Sequence, residues 1–330
     1  MNKFNFTILT DPLPIGNDLP YVFTKYIFRL LRNLILMPKK FYYGSNYGGH
    51  PAVTRSLVTG FKKCKINFSY NPIKIDNLSK NVIVLSGLKT LKQAIYLKKK
   101  GYIKKILAGP NIVTFSKEQN YLLSAPEIDV IIVPSKWVRS IYIKDLPAIK
   151  KKIFIWPAGV DTSYWSPKSK KPKNQILIYD KISGIDSDKL KFYIGYIKSL
   201  SLDYKIISNF KNHHYTSEQF RELLQSSILM IGLTNSESQG ICWAEAWAMN
   251  IPTLLNFKSV NLIQGRRVPT STAPYLSSDT GLFFKDFGDF KIKLKKILNN
   301  PQHFSPRKWL SQNMSDEVMA KKIYKKMLSC

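Results

Sequence analysis

Short apolar runs alternate along the chain with longer stretches in which apolar residues recur every three or four positions. A short run bounded by turn residues suits a strand covered on both faces, and the longer spacing suits an amphipathic helix. Strands are therefore predicted at 4–9 (FNFTIL), 82–85 (VIVL), 105–108 (KILA), 129–133 (DVIIV), 153–156 (IFIW), 176–179 (ILIY), 204–208 (YKIIS), 228–232 (ILMIG) and 252–256 (PTLLN). Helices are predicted between and after them, at 52–63, 88–100, 135–144, 186–199, 216–226, 239–249, 288–299 and 314–328. No internal repeat of short period is present. Strands that take turns with helices predict an α/β architecture with parallel sheets, because parallel neighbours need a crossover.

The clearest break is WSPKSKKPKNQ, residues 165–175, with two prolines, four lysines and no apolar residue after Trp165. It reads as a solvated linker. Two doubly wound, Rossmann-like domains facing a cleft are expected, 1–165 and 166–310, with a helix in 311–330 packing back toward the first. One segment stands apart from this pattern. YVFTKYIFRLLRNLILM, residues 21–37, has no acidic residue, carries Lys25, Arg29 and Arg32 at helical spacing, and is followed by Lys39 and Lys40. A basic amphipathic segment over 21–40 suits an anionic membrane surface, and equally an ordinary surface helix.

Composition narrows the class. The 330 residues suffice for two domains, and 44% hydrophobic and 13% aromatic content are those of a globular protein. No apolar stretch approaches the roughly 20 residues that span a bilayer. Three scattered cysteines, Cys64, Cys242 and Cys330, argue against a disulfide framework or zinc cage and for a reducing cytosol. The expected location is cytoplasmic, and peripheral on the inner membrane face only if the 21–40 segment lies on a membrane. The formal net charge is +30, with 26 basic and 8 acidic residues in 1–165 and 25 and 13 in 166–330. One reading of that charge is an anionic partner. The other is biased composition, since Lys, Asn, Ile, Tyr and Phe are all abundant.

The candidate chemistry lies in TNSESQGICWAEAWAMNIP, residues 234–252. A buried strand precedes it, TNSESQG forms a loop, and ICWAEAWAM forms a helix ended by Asn250 as a left-handed cap and by Pro252. Ligands of open α/β sheets bind where such loops leave the carboxyl ends of strands. The amides of Ser238, Gln239, Gly240 and Ile241 lie at a helix start, where unpaired N–H groups and the positive dipole end favour phosphate. Gly240 lets the backbone approach closely. Glu237 would project toward whatever the phosphate carries, and Glu245 would accept hydrogen bonds from a vicinal diol such as a ribose. The competing reading makes Glu237 a cap-region carboxylate and Glu245 a buried helix-pair partner.

The stretch ESQGICWAEAWAMNIPTLL resembles the E-x7-E region of retaining glycosyltransferases of family 4, which have the GT-B fold. VIIVPSKWVRSIY (130–142), IFIWPAGVDTSYWSP (153–167), TGLFF (280–284) and YGGHPAVTRSLVTGF (47–61) resemble other passages of that family in the same order. The resemblance implies a first domain that binds acceptor and a second that binds a nucleoside-diphosphate sugar. It implies that Glu237 contacts the transferred sugar, Glu245 the ribose, and Lys181 the diphosphate leaving group. Gly48, Gly49 and His50 would form the glycine-rich loop on the acceptor side, with Asn111 facing the acceptor or only making a turn with Pro110. The family's arginine beside the lysine has no counterpart, Lys205, Arg266 and Arg267 being the only guesses for it. Asn250 and Ala158 replace a glycine and an asparagine, and VIVLSGLKT (82–90) lacks the family's histidine. No Asp-x-Asp motif is present to hold a metal against a diphosphate, so neither metal nor cofactor is expected. His213 and His214 are adjacent without a third ligand at metal spacing, and read as a solvated loop. The implied partners are a nucleoside-diphosphate sugar and a glycan or lipid-linked acceptor, for which an anionic character suits the basic charge. Two other readings stand beside this one. A nucleic-acid-binding protein suits the charge, although no basic block alternates with aromatics and the charge spreads over both halves. A GT-B enzyme that epimerises or hydrolyses a nucleotide sugar suits the motif.

Overall fold

The computed structural model describes residues 5–10, 49–72, 74–168, 174–182, 187–208 and 215–329. The basic segment 21–40, Gly48, His213, His214 and residues 169–173 of the linker lie outside the described residues. The described chain forms two compact units, one from residues 5–10, 49–159 and 316–329, the other from the described residues of 160–315.

The first unit is a six-stranded parallel sheet in the order β2-β1-β3-β4-β5-β6. Its strands are β1 (Phe6–Leu9), β2 (Phe68–Tyr70), β3 (Asn81–Ser86), β4 (Lys105–Asn111), β5 (Val130–Val133) and β6 (Ile153–Ile155). Helices α1 (Gly49–Lys63), α2 (Leu88–Lys99) and α3 (Lys136–Asp145) form the crossovers, and α9 (Asp316–Leu328) closes the unit. One face of the sheet, with Val82, Val84, Ile106, Ala108, Ile131 and Val133, packs on Leu91 and Ala94 of α2 and on Val138 and Tyr142 of α3. On β1, Phe6 meets the rings of Phe61 in α1 and Tyr324 in α9.

Helices α1 and α9 approach closely because Gly60 has no side chain. A Cβ there would lie 2.3 Å from the Asp316 carbonyl oxygen and 2.7 Å from Ala320 Cβ. A buried ion pair fixes the register. Arg55 Nη1 donates to Asp316 Oδ2 at 2.6 Å, Arg55 Nη2 to Asp316 Oδ1 at 3.3 Å and to the Gly159 carbonyl at 3.1 Å. Arg55 thus grips both points where the chain leaves and re-enters this unit. Asp316 also opens α9, where a carboxylate is favoured by the helix dipole.

The second unit has a five-stranded parallel sheet in the order β13-β10-β9-β7-β8. Its strands are β7 (Gln175–Asp180), β8 (Asp203–Ser208), β9 (Ser227–Leu233), β10 (Thr253–Asn256) and β13 (Gly281–Phe284). The helices are α4 (Ser187–Ser199), α5 (Ser217–Gln225), α6 (Ile241–Ala248), α7 (Phe287–Asn299) and α8 (Pro306–Asn313). Alternate residues of each strand serve opposite faces. Leu177, Tyr179, Met230 and Leu255 face Phe220 and Leu224 of α5, Trp243 and Trp247 of α6 and Leu310 of α8. Ile176, Ile178, Leu229 and Ile231 face Ile197 of α4 and Phe290, Leu294 and Ile297 of α7. Tyr164 and Trp165 pack with the first of these clusters, so the passage after Val160 belongs to the second unit. Between β10 and β13 the chain makes an antiparallel hairpin, β11 (Val260–Ile263) and β12 (Arg266–Pro269).

The nine predicted strands match observed ones to within three residues at each end, as do the predicted helices. Helix α8, β2 and the hairpin were not anticipated. Three residues of FSY and the polar alternation of VNLIQGRRVP carry too little apolar periodicity to signal a strand. Helix α8 hides behind polar PRKWLSQN, in which Leu310 and Trp309 alone supply core contacts.

Removing one partner of a buried ion pair leaves the other charge without compensation, at about 3–5 kcal/mol. The expected result for Asp316→Ala is a loss of that size in urea unfolding. An unchanged midpoint would show that Arg55 and Asp316 hold nothing together.

Candidate functional site

In the second unit the chain runs from β7 outward to β8 and then returns past β7 to β9. The strands β7 and β9 are therefore neighbours from which the chain departs in opposite directions, the place where such sheets open a crevice at their carboxyl ends. Lys181 is the first residue after β7, and its backbone N–H donates to the Leu233 carbonyl at 2.8 Å, one further rung of the ladder. Glu237 lies in the loop after β9. The two meet, with Lys181 Nζ 2.5 Å from Glu237 Oε1 and the side chains 20% and 13% exposed.

The Glu237 loop is pinned from several sides. Thr234 N donates to Asn256 Oδ1 at 2.8 Å, and Asn256 Nδ2 returns a bond to the Thr234 carbonyl at 2.9 Å. Glu237 N donates to the Ser271 carbonyl at 2.8 Å, and Asn261 Nδ2 to Ser236 Oγ at 2.8 Å. Trp243 Nε1 donates to the Thr272 carbonyl at 3.0 Å. The loop ends at Gly240, which has φ 80° and ψ 56°, immediately before α6. A Cβ at Gly240 would fall 2.3 Å from Trp243 Cδ1, so conformation and space both require glycine. Trp243 N and Ala244 N donate to the Gly240 carbonyl at 3.1 and 3.2 Å, so the amides of Ile241 and Cys242 are those at the opening of α6 with no acceptor within the helix. At its other end Asn250 takes φ 61°, the left-handed residue expected there.

Aromatic rings wall the site. Lys181 Nζ lies 5.4 Å from the centroid of Tyr179 and 5.8 Å from that of Trp243, within cation–π range. Tyr179 and Tyr215 share a short hydroxyl–hydroxyl contact, and burial pushes both phenols above their ordinary range. Cys242 Sγ lies 3.9 Å from Lys181 Nζ, and burial pushes its thiol up, so the sulfur is neutral at physiological pH. Burial alone would lower the Lys181 ammonium. The Cys242 sulfur, Glu237 with its hydrogen bond, and Glu245 pull the other way and hold it above its ordinary value. Since the thiol is neutral, Glu237 is the partner that matters.

Glu245 is buried in α6, eight residues after Glu237, and its charge acts on Lys181, Tyr164 and Tyr215. Gln239 is buried, Ser238 exposed, and Ile241 half-buried at the helix start. Lys181, Glu237, Glu245 and the residues 238–241 thus come together in one unit. The acceptor-side candidates lie in the other unit. Gly49 and His50 open α1 and are exposed, and Asn111 ends β4 after the Gly109–Pro110 bond with its Nδ2 buried and unpartnered. Sequence reasoning missed Asn256 and Tyr179, which shape the loop and the wall. A polar residue ending an apolar strand, as in PTLLN, was the available signal for Asn256. Among the described residues no group of three or more His, Cys, Asp or Glu side chains could hold a metal.

No protein-family model matches the chain, and no curated protein matches it by sequence. Solved structures do match in fold. The lipopolysaccharide outer core galactosyltransferase WaaB in its apo form superposes with TM-score 0.54 at 11% identity, covering 87% of this chain and 97% of that one. The chain has the GT-B fold. TarM gives TM-score 0.53 at 14% identity over 84% of this chain. The pneumococcal O-GlcNAc transferase GtfA, in complex with UDP and GlcNAc, gives 0.52 at 15% identity over 77%. The chain spans 57% of the length of each of these last two. In the GT-B fold two Rossmann-like units share one chain, and the Lys181–Glu237 pair sits at the strand ends of the second unit.

A lysine whose folded-state titration lies above its unfolded value of 10.5 stabilises the fold fully below that pH. The stabilisation is lost as pH climbs through the raised value. The stability difference between the wild-type chain and Lys181→Met, from denaturant titrations at pH 8 to 12, is expected to hold steady to about pH 10 and then shrink. Parallel curves across the range would mean that the ammonium gains nothing from Glu237.

Proposed function

We propose that the chain transfers a sugar from a nucleoside-diphosphate sugar to a glycan or lipid-linked acceptor, with retention at the anomeric carbon and without a metal. The observation that carries this reading is the shielded Lys181–Glu237 pair at the switch point, beside the start of α6. A diphosphate leaving group develops negative charge as its bond to the anomeric carbon breaks, and the electron pair departs on the phosphate oxygen. Fixed donors stabilise that charge best where water is excluded. Lys181 supplies a full positive charge, and the amides of Ile241 and its neighbours supply the helix terminus.

Glu237 has two tasks in this scheme. In the free protein it compensates Lys181, which would otherwise be a desolvated cation. With donor present, its carboxylate orients the sugar hydroxyls while the lysine turns to the diphosphate. Glu245 takes the ribose hydroxyls. The assignment draws on the E-x7-E resemblance and on solved structures of similar fold, among them a galactosyltransferase and an O-GlcNAc transferase. A retaining family 4-like hexosyltransferase of polysaccharide biosynthesis fits these residues. Gly49, His50 and Asn111, in the other unit, are assigned to the acceptor.

Glu237→Gln keeps the shape and a hydrogen-bonding end but removes the charge. Transfer from the nucleotide sugar is expected to fall about 10²–10³-fold, the scale of losing one transition-state contact, with cooperative melting retained. Undiminished turnover in a folded variant removes the assignment. Release of free sugar by the wild-type chain without any acceptor would favour hydrolysis over transfer.

A further inference from the structure

We infer that the outer face of the β11–β12 hairpin in the second unit docks on an anionic bilayer surface. The inference stands apart from glycosyl transfer, since it rests on a different surface and is tested without activity. Antiparallel partners share a face of the hairpin. The pairs Asn261↔Val268 and Ile263↔Arg266 lie on one side, Val260↔Pro269 and Leu262↔Arg267 on the other. The first side is turned inward, with Val268 buried and Asn261 bonded to Ser236. The second is turned out, with Leu262 67% and Val260 37% exposed and Arg267 and Pro269 exposed beside them. Phe257, just before the hairpin, is 47% exposed.

Apolar tips alone would suit many partners, but the charge selects one. Arg267 shares the face of these tips, while Lys258 before the hairpin and Arg266, on the other side beside the turn, are exposed within a Debye length of it, and no Asp or Glu occurs anywhere in residues 246–278. A soluble polyanion would use the arginines and have no need of Leu262. A surface that takes both together presents phosphates above hydrocarbon, as a bilayer of acidic lipids does. The turn Gln264–Gly265, with φ 48° and 74°, makes a tight two-residue loop, so the face is preorganised. The hairpin also holds the Glu237 loop through Asn261, and Lys258 Nζ donates to Asn235 Oδ1 at 2.5 Å. A docked hairpin would therefore hold this site next to lipid.

The test is sedimentation of the full chain with vesicles of phosphatidylcholine alone or mixed with phosphatidylglycerol, for wild type, Leu262→Asp and Arg266→Gln/Arg267→Gln, each checked for unchanged melting temperature. Wild type is expected to partition onto the mixed vesicles and not onto the neutral ones. Losing two charges should weaken this about thirtyfold, at roughly fivefold each. Leu262→Asp should weaken it about tenfold or more, the scale of withdrawing a buried leucine from an apolar medium. Loss in the arginine variant alone would identify a soluble-polyanion surface and overturn the bilayer. No binding by wild type, equal binding to neutral vesicles, or full binding by both variants would overturn the docking surface.

Discussion

A lysine ammonium and a glutamate carboxylate held 2.5 Å apart, mostly screened from water, set the terms for the second unit. Neither group tolerates such surroundings alone, because an uncompensated charge there costs several kcal/mol. Their meeting requires that β7 and β9 be adjacent and parallel and that both end at the same level. It also requires that the loop after β9 fold back over the end of β7. The ladder rung from Lys181 N to Leu233, the two bonds from Asn256 and the bond from Glu237 N to Ser271 provide this. Gly240 lets the chain turn into α6 against the face of Trp243. The pair is a consequence of sheet order as much as of side-chain chemistry.

The first unit has a pair of a different kind. Arg55 and Asp316 are buried among packed helices and serve the chain's return into this unit rather than any ligand. The difference between the two pairs is access. Arg55 and Asp316 are 1% and 0% exposed, whereas Lys181 and Glu237 keep 20% and 13% at the carboxyl ends of the strands. A structural ion pair can be sealed. The role proposed for Lys181 and Glu237, in which the lysine leaves its partner for a substrate, requires a pair that stays open on one side.

Much of the fold was legible in the sequence for a physical reason. Buried parallel strands are uninterrupted apolar runs, and VIVL, ILIY and ILMIG announce themselves. Elements with weak apolar content were not legible. The hairpin VNLIQGRRVP turns half of its apolar residues outward and uses Gln264 where Asn or Asp would signal the turn. Of the site, Glu237, Gly240 and Lys181 could be placed because each stands at a strand end or helix start. The ring wall of Tyr179, Tyr215 and Trp243 could not, since aromatic residues in strands and helices read first as core. The pairing of Lys181 with Glu237 was also beyond reach, because the 55 intervening residues had to be folded into a sheet order before the two could meet.

The most direct measurement of the central claim is a crystal structure of the full chain soaked with a uridine, guanosine or adenosine diphosphate. The account requires diphosphate density within hydrogen-bond reach of Lys181 Nζ and of the amides that open α6, with the ribose toward Glu245. Density for an ordered nucleotide at any other strand edge, with the Lys181–Glu237 pair intact and untouched, would contradict it.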